Sequence, residues 1–469
     1  MSKTDEKSKR KINEIAPTDE KIVSRGGLIF FIKYLSNLGI YPILEKKFGG
    51  LRRSKKSKSI ANIFKQLFCY FIDGSKFSLV RFDELKKDGS YASLLEEDEN
   101  GLLSSHAVKR FFGKFSIFRV WLFRQVLQIL FIWRLRIRSP EVIILNIDPM
   151  PMDNNDAQKR EGVEMTYKKV RGFAPLQMSW ERFIIDAVFR GGSKHSNHKD
   201  TVEKMVEHIV NLIRKRYRNE VPIVVRLDSG FFDQKLIERF DQLNIGFIIG
   251  GKIYEDIRDV VSSLGEEEWN EYENKKQIWN FVELGDRRGS WKKFYRMFYC
   301  RPLLENGQVL MEFARPDTVI YTNLGLNNDV KRIFIEADQE RFLESEVIIE
   351  THHGRGGDEL IHRALKEFGT ENLPLERFES NAAFYYIMLV AFFLFETFKE
   401  DVAEPIISVV SYANTVRRLV IDVGAKIVTH SGRNIVKFFK ALYEQIKCNV
   451  LWEKALSPPE IVDTCVVNA

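Results

Sequence analysis

The sequence predicts an α/β protein with an all-α region ahead of it. Three observations carry that prediction. Between residues 142 and 253, short apolar runs alternate with segments of helical periodicity, the pattern of a layered α/β fold. Before residue 140, apolar residues recur at three- and four-residue spacing, which marks helices. From residue 254 the pattern turns to short aromatic-rich and β-branched runs, and from Asp358 it is helical again. These changes divide the chain into a helical basic region (1–140), a first α/β part (141–253), a mostly β insertion (254–345), a second helical part closed by β-like runs (346–440) and a tail (441–469).

The elements follow in order. Residues 1–25 read as a charged arm and 27–48 as helix. Gly49-Gly50-Leu51-Arg52-Arg53-Ser54-Lys55-Lys56-Ser57-Lys58 is a basic loop. Residues 60–72 and 120–135 are apolar enough for core helices. Between them, Ser104 is placed to cap a short basic helix running to Phe112. Short helices with a basic one among them fit a helix-turn-helix-like DNA reader. Residues 142–148 form a buried-strand run that stops at Asp148. Further strands are expected at 183–189, 221–227 and 246–253, with helices at 201–217 and up to about Leu243. Residues 294–299 and 318–322 read as strands of the insertion, and 381–398 as an apolar helix. Residues 415–428 hold two β-like runs about Asp422-Val423-Gly424.

Composition narrows the function classes. A chain of 469 residues that is 44% hydrophobic and 12% aromatic is not disordered, and is long enough for two or three packed domains. Cys69, Cys300, Cys448 and Cys465 include no C-x-x-C pair, which argues against a disulfide scaffold or a cysteine zinc site and suits a reducing cytosol. No signal peptide is read at the Lys-rich start. The longest apolar run, Ala382 to Phe395, has 14 residues, short for a membrane span. The net charge of +7 hides an asymmetry: residues 1–60 carry 15 Lys and Arg against 6 acids. A second basic stretch, residues 101–140, holds Lys109, Arg110, Lys114, Arg119, Arg124, Arg134, Arg136 and Arg138 with no acid. Two basic blocks near one end suggest a polyanionic partner.

Asp148 and Asp228 each sit at the carboxyl end of a hydrophobic strand, where α/β sheets build their sites. Two such carboxylates can share hard divalent cations, and a third acid on a nearby helix would complete the set. Residues 352–366 offer one: in a helix starting near Asp358, Glu359 lies in the first turn and Lys366 on the same face. A plain surface ion pattern is the alternative reading of that helix.

The spacing His352-x2-Arg355-x3-Glu359-x6-Lys366 resembles the Y-(2)-R-(3)-E-(6)-K box of bacterial insertion-sequence transposases with an Asp-Asp-Glu triad, with His352 in place of Tyr. The strand ending at Asp148 resembles the family's first catalytic Asp, although Asn146 stands where a second Asp is common and Pro149-Met150 replaces a small-Thr pair. The segments Glu161-Gly162, Thr166-Tyr167 and Gly172-Phe173-Ala174-Pro175-Leu176 are similar to the family's stretch after that strand. Arg226-Leu227-Asp228-Ser229-Gly230-Phe231 looks like its R-x-D-S-G-F box, and Asn414-Thr415-Val416-Arg417-Arg418-Leu419 like its C-terminal box. The similarity spans roughly residues 25–440 and is best with the insertion sequence 1380 family.

The resemblance implies a ribonuclease-H-like catalytic core interrupted by the β insertion, and cut-and-paste transposition of the chain's own element. Asp148, Asp228 and Glu359 would hold two Mg²⁺, for which Mn²⁺ substitutes. Water attack nicks the element's end, and the freed 3′-OH attacks target DNA. Arg355, Lys366 and His352 would contact phosphates near the cut. The expected partners are double-stranded DNA (terminal inverted repeats and target) and a second copy in a homodimer, with no membrane, in a bacterial cytoplasm. Lys109, Arg110, Arg52 and Arg53 are the expected DNA contacts of the basic region. In the insertion, Trp279, Trp291 and Tyr295 lie among Arg287, Arg288, Lys292, Lys293 and Arg296. Trp291, Lys292 and Arg296 there suit a base-stacking grip that a hairpin intermediate would use, with sheet packing as the alternative. His195 and His198 lack a third ligand, so no zinc is expected. Two competing readings are a catalytically decayed transposase that only binds DNA and a related nuclease without strand transfer.

Overall fold

A glycine breaks the first helical stretch in two. α1 (Leu28–Leu38) and α2 (Ile40–Phe48) meet at Gly39, whose φ of 85° is the left-handed conformation that ends helices. This is a computed structural model, which describes residues 14–52, 54, 57–194, 201–274, 277–305, 308–309, 316–404 and 406–462. α3 (Ile60–Asp73) starts at Ser59, whose side chain accepts from the Asn62 amide. α4 (Ser105–Phe112) starts as its sequence suggests, with Ser104 accepting from the Ala107 amide. α5 (Ile117–Arg138) follows after a bend of 98°.

The α/β part builds one large sheet. β1 (Ile143–Pro149), β2 (Leu176–Trp180) and β3 (Phe183–Val188) form an antiparallel meander. β2 adds a strand to those expected from the sequence, although Leu-Gln-Met-Ser-Trp alternates apolar and polar residues as a strand does. All five residues are buried, and Gln177 is accommodated by donating to the Tyr385 hydroxyl at 2.8 Å. After α6 (Thr201–Arg216), β4 (Ile223–Leu227) lies parallel to β1. After α7 (Gln234–Gln242), β5 (Gly246–Gly250) lies parallel to β4. β6 (Asn270–Asn274), β7 (Gln277–Asp286), β8 (Tyr295–Glu305) and β9 (Thr318–Thr322) come next. They continue the same sheet, because β9 pairs antiparallel with β5. The strand order is β6-β7-β8-β9-β5-β4-β1-β2-β3, with Gln308–Val309 paired to β8.

The chain then returns to helices: α8 (Ser345–His353), α9 (Gly356–Phe368) and α10 (Phe378–Phe398). Every residue of α10 from Ser380 to Phe398 is buried. α5, α3, α1 and β3 pack against it. Phe71 and Phe112 set their rings against Phe384, and Phe123 stacks on Tyr386. The amino-terminal helices and the carboxyl-terminal half thus share one core. Each Phe or Leu in it contributes about 1.5–3 kcal/mol relative to exposure. Residues Phe378–Ala403 are long and apolar enough to cross a membrane, yet their apolar stretch is wholly buried inside the protein.

The last part corrects one expectation. Residues 413–421 are helical, as Ala413–Val416 and the wider turn Arg417–Ile421, and only the second β-like run forms a strand. β10 (Ala425–His430) pairs with β11 (Arg433–Phe438) and with Ile22–Val23. The reason lies in Arg417. Its buried guanidinium donates to Phe71 O at 2.8 Å and Ile72 O at 2.9 Å, at the end of α3. It also donates to Phe368 O at 2.6 Å and Glu367 O at 3.1 Å, at the end of α9. These carbonyls have no partner within their own helices, and one cation satisfies both ends. Burial pushes the Arg417 pKa down to about 10, so it stays charged at neutral pH.

Folding also alters the meaning of the acid-free stretch 101–140. Arg124 makes a two-point ion pair with Asp186, at 2.6 and 2.5 Å. Arg134 pairs with Glu400 and Asp401, and Arg138 with Glu181 and Glu400. Arg136 donates to Arg216 O at 2.6 Å. Half of the eight cations therefore serve internal contacts, and the exposed ones are Lys109, Arg110 and Arg119.

Candidate active site at the ends of two parallel strands

β1 and β4 run side by side, in a register that sets Asn146 against Arg226. Asp148 lies two residues beyond Asn146, and Asp228 two beyond Arg226, so the acids emerge from adjacent strands about 4.8 Å apart. β1 does not stop at its acid but runs on to Pro149, where it still pairs with β2. Asp228 ends its strand and caps the turn Ser229–Phe231, with Oδ1 accepting from the Gly230 amide at 2.9 Å. Both carboxylates are partly exposed.

Arg226 fixes the floor of this site. Its Nε donates to Asn146 Oδ1 at 2.8 Å, and its Nη1 to Thr351 O at 2.6 Å. One buried side chain thereby ties β1, β4 and α8 together. It also supplies a structural reason for an amide at 146, which accepts this bond without adding a charge beneath the acids.

α8 and α9 bring side chains to the two acids. Arg355, in the turn between the helices, holds Nη2 3.8 Å from Asp228 Oδ2. His362 of α9 holds Nδ1 3.7 Å from Asp148 Oδ2. Burial, with the nearby charges of Lys366 and Lys168, pushes the His362 pKa down to about 4. The imidazole is therefore neutral at pH 7, and this approach is not an ion pair. Glu359 is exposed one turn before His362, and residues three apart share a helix face. Lys366 lies one turn after His362 and pairs with Glu371 at 2.7 Å. Tyr167 reaches the acids from the segment after β1, its hydroxyl 3.4 Å from Pro149 O. Burial, then the charges of Asp148 and Asp228, push its phenol up to about 12, so it stays a hydrogen-bond donor.

His352 takes a different place from the other members of its spacing. Both ring nitrogens are buried without a hydrogen-bond partner, and the ring packs beside Gly250. Burial, then the charges of His353, Arg355 and Arg226, push its pKa down to about 3, which keeps it neutral. Among the described residues, no three His, Cys, Asp or Glu side chains are gathered so as to hold a metal ion. The donor set at the strand ends nonetheless fits a hard cation, since two adjacent carboxylates offer only oxygen ligands.

The other expected contacts scatter. Arg52 donates to Ser57 O at 2.7 Å and is exposed, as are Lys109 and Arg110. Arg53, His195 and His198 lie outside the described residues. Trp291 is buried against Phe232, Tyr295 and Tyr321. Arg296 bonds Glu283, Leu324 O and Leu343 O, while Lys292 is exposed. Reasoning from sequence gave no role to Arg226, His362 or Tyr167. The signal available for His362 was its position three residues after Glu359, on the same helix face.

The chain matches the family model described as transposase DDE domain group 1 over residues 5–451. Among solved structures it is similar to one described as the piggyBac transposase synaptic complex with hairpin DNA. The identity is 10% and the TM-score 0.37, over 93% of this chain and 83% of that one. No curated protein matches the chain.

Proposed function

The chain belongs to the transposase DDE domain group 1 family, and from that premise we propose that it cuts the ends of its own mobile element and joins them to new DNA. The observation that carries this reading is the emergence of Asp148 and Asp228 from neighbouring parallel strands, with the helix bearing Glu359 across from them. The meander β1-β2-β3 followed by parallel β4 and β5 supports a ribonuclease-H-like core. An insertion sequence of the 1380 type, in a bacterial host, is the proposed setting.

Asp148, Asp228 and Glu359 would hold Mg²⁺, which when bound supplies activation of the attacking oxygen and charge stabilisation of the leaving one. The remaining work falls to positioning. Arg355 and Lys366 would take backbone phosphates beside the acids, Lys366 by exchanging its pairing with Glu371. Tyr167, kept protonated by its surroundings, would turn its hydroxyl from Pro149 O to donate to a phosphate oxygen at the same site. In the first step a water oxygen bonds to phosphorus as the 3′ oxygen leaves. In the second, that 3′ oxygen bonds to a target phosphate and displaces another 3′ oxygen. Each is an in-line transfer needing no nucleotide cofactor.

The test mixes the protein with the DNA ends flanking its gene and Mg²⁺, beside Asp148→Asn, Asp228→Asn and Glu359→Gln. Cleavage by the wild type, with each variant binding the ends but not cutting, is the expected result. An Asp228→Asn variant that cuts at the wild-type rate sinks the site assignment. Asn146, where a second acid is common, and His352, where Tyr is usual, motivate the competing reading of a protein that binds ends without cutting. That reading predicts end binding and no product from the wild type.

A further inference from the structure

Two basic stretches far apart in sequence meet at one corner of the molecule. Lys114 Nζ donates to Leu51 O at 3.1 Å, and Lys47 Nζ donates to the Gln125 side chain at 2.6 Å. The first bond joins the loop after α2 to the bend between α4 and α5, and the second joins α2 to α5. Arg52 and Arg119 are exposed on the two joined segments, Arg119 donating to Lys114 O at 2.8 Å, and Lys46, Lys109 and Arg110 are exposed on the helices that lead into them. Glu45, the acid of α2, is turned away, with its carboxylate accepting from the Ala61 amide at 2.9 Å.

The first turns of α5 carry aromatic side chains into solvent at this corner. Phe118 is 82% exposed and Trp121 55%. Their neighbours Val120 and Phe123 face the core, so this is one face of the helix and not a frayed end. Trp121 is held in place. The Arg124 guanidinium lies 4.3 Å from its ring centroid, and that guanidinium is itself fixed by the two-point bond to buried Asp186. Exposing a phenyl and an indole together is unfavourable, and such patches mark contact sites.

We propose that this corner is a DNA-contacting surface, in which the basic side chains follow the phosphate backbone and Phe118 and Trp121 stack on unpaired bases or against a distorted step. Charge selects the partner. Two copies meeting through the patch would bring its cations face to face, whereas a polyanion neutralises them. An aromatic pair among cations is the arrangement that grips unstacked bases. The inference rests on the transposase reading but uses none of the active-site residues.

The experiment measures binding of the full chain to two probes: a duplex carrying the DNA end that flanks the gene, and the same duplex with a short single-stranded gap. Phe118→Ala is expected to lower affinity for the gapped probe by roughly tenfold, the loss of one base stack. Phe118→Tyr and Trp121→Phe should keep it. Arg119→Gln should weaken both probes and reduce the steepness of the salt dependence by about one contact. Wild-type affinity for the gapped probe in both Phe118→Ala and Trp121→Ala overturns the proposal. So does normal DNA binding by those variants combined with loss of self-association in sedimentation, which would make the corner a contact between copies. A wild type that binds neither probe overturns the proposal together with the reading beneath it. A wild type that binds and cuts leaves that reading standing, and the variants alone then decide the corner.

Discussion

At the scale of single residues, the site rests on side chains that hold others. Arg226 is buried and donates to Asn146 and to the end of α8. Asn146→Ala leaves its Nε without this acceptor, at a cost of about 1–3 kcal/mol. The denaturant midpoint should fall accordingly, and Asn146→Asp, which keeps the acceptor but adds a charge beneath the acids, should fall less than Asn146→Ala. Asp241 is a second such residue. It accepts from Tyr295 at 2.6 Å, from Asn323 and Asn327 at 3.0 Å each, and pairs with Lys293 at 2.7 Å. Burial alone would raise its pKa, but these four donors outweigh burial and hold the carboxyl below its ordinary range. A folded-state pKa below the unfolded one, about 3.9, gives stability that is present above that value and lost as pH falls through the folded one. Between about pH 5 and pH 3, wild type should therefore lose stability more steeply than Asp241→Asn, which pH-dependent unfolding curves would read.

At the scale of elements, much of the pattern was legible because local chemistry and tertiary placement agree. Ser104 caps α4 where its sequence says it should, and Thr318–Thr322 is the strand its β-branched residues predict. β2 carries a strand's alternation, but the burial of its polar face was not legible, because Gln177 donates to a hydroxyl of α10, more than 200 residues away. Residues 415–421 misread for a related reason. Val416, Val420 and Ile421 favour strands, but in the helical turns they form Arg417 satisfies the ends of α3 and α9, a long-range gain no local pattern encodes. Asp148 and Asp228 could be placed from strand patterning, and Glu359 from helix spacing. The approaches of His362 and Tyr167 depend on how α9 and the segment after β1 cross the sheet, which no local pattern encodes. Arg417→Met should cost at least about 3 kcal/mol, since several charge-assisted bonds are lost together. Hydrogen exchange should quicken in the last turns of both α3 and α9, and unchanged protection in α9 would refute the shared cap.

At the scale of the whole molecule, the helices ahead of residue 140 are not a detachable reader. α1, α3 and α5 cover α10, and α5 also lies on β3. A chain beginning at residue 141 should expose that apolar helix and fail to melt cooperatively by calorimetry. A cooperative transition in that fragment would show that the shared core is dispensable. Loss of DNA binding on removing the region therefore says nothing about where DNA sits, and substitutions at exposed residues are the informative probes.

The central position of α10 also sets a timetable for synthesis. α5 ends at Arg138 and α10 begins at Phe378, so about 240 residues must leave the ribosome before the first helices meet the helix they cover. At roughly 5–20 residues per second, that interval is on the order of 10–50 s. Throughout it, the apolar faces of the nascent amino-terminal helices lack their final cover, so chaperones have a long period in which to engage them.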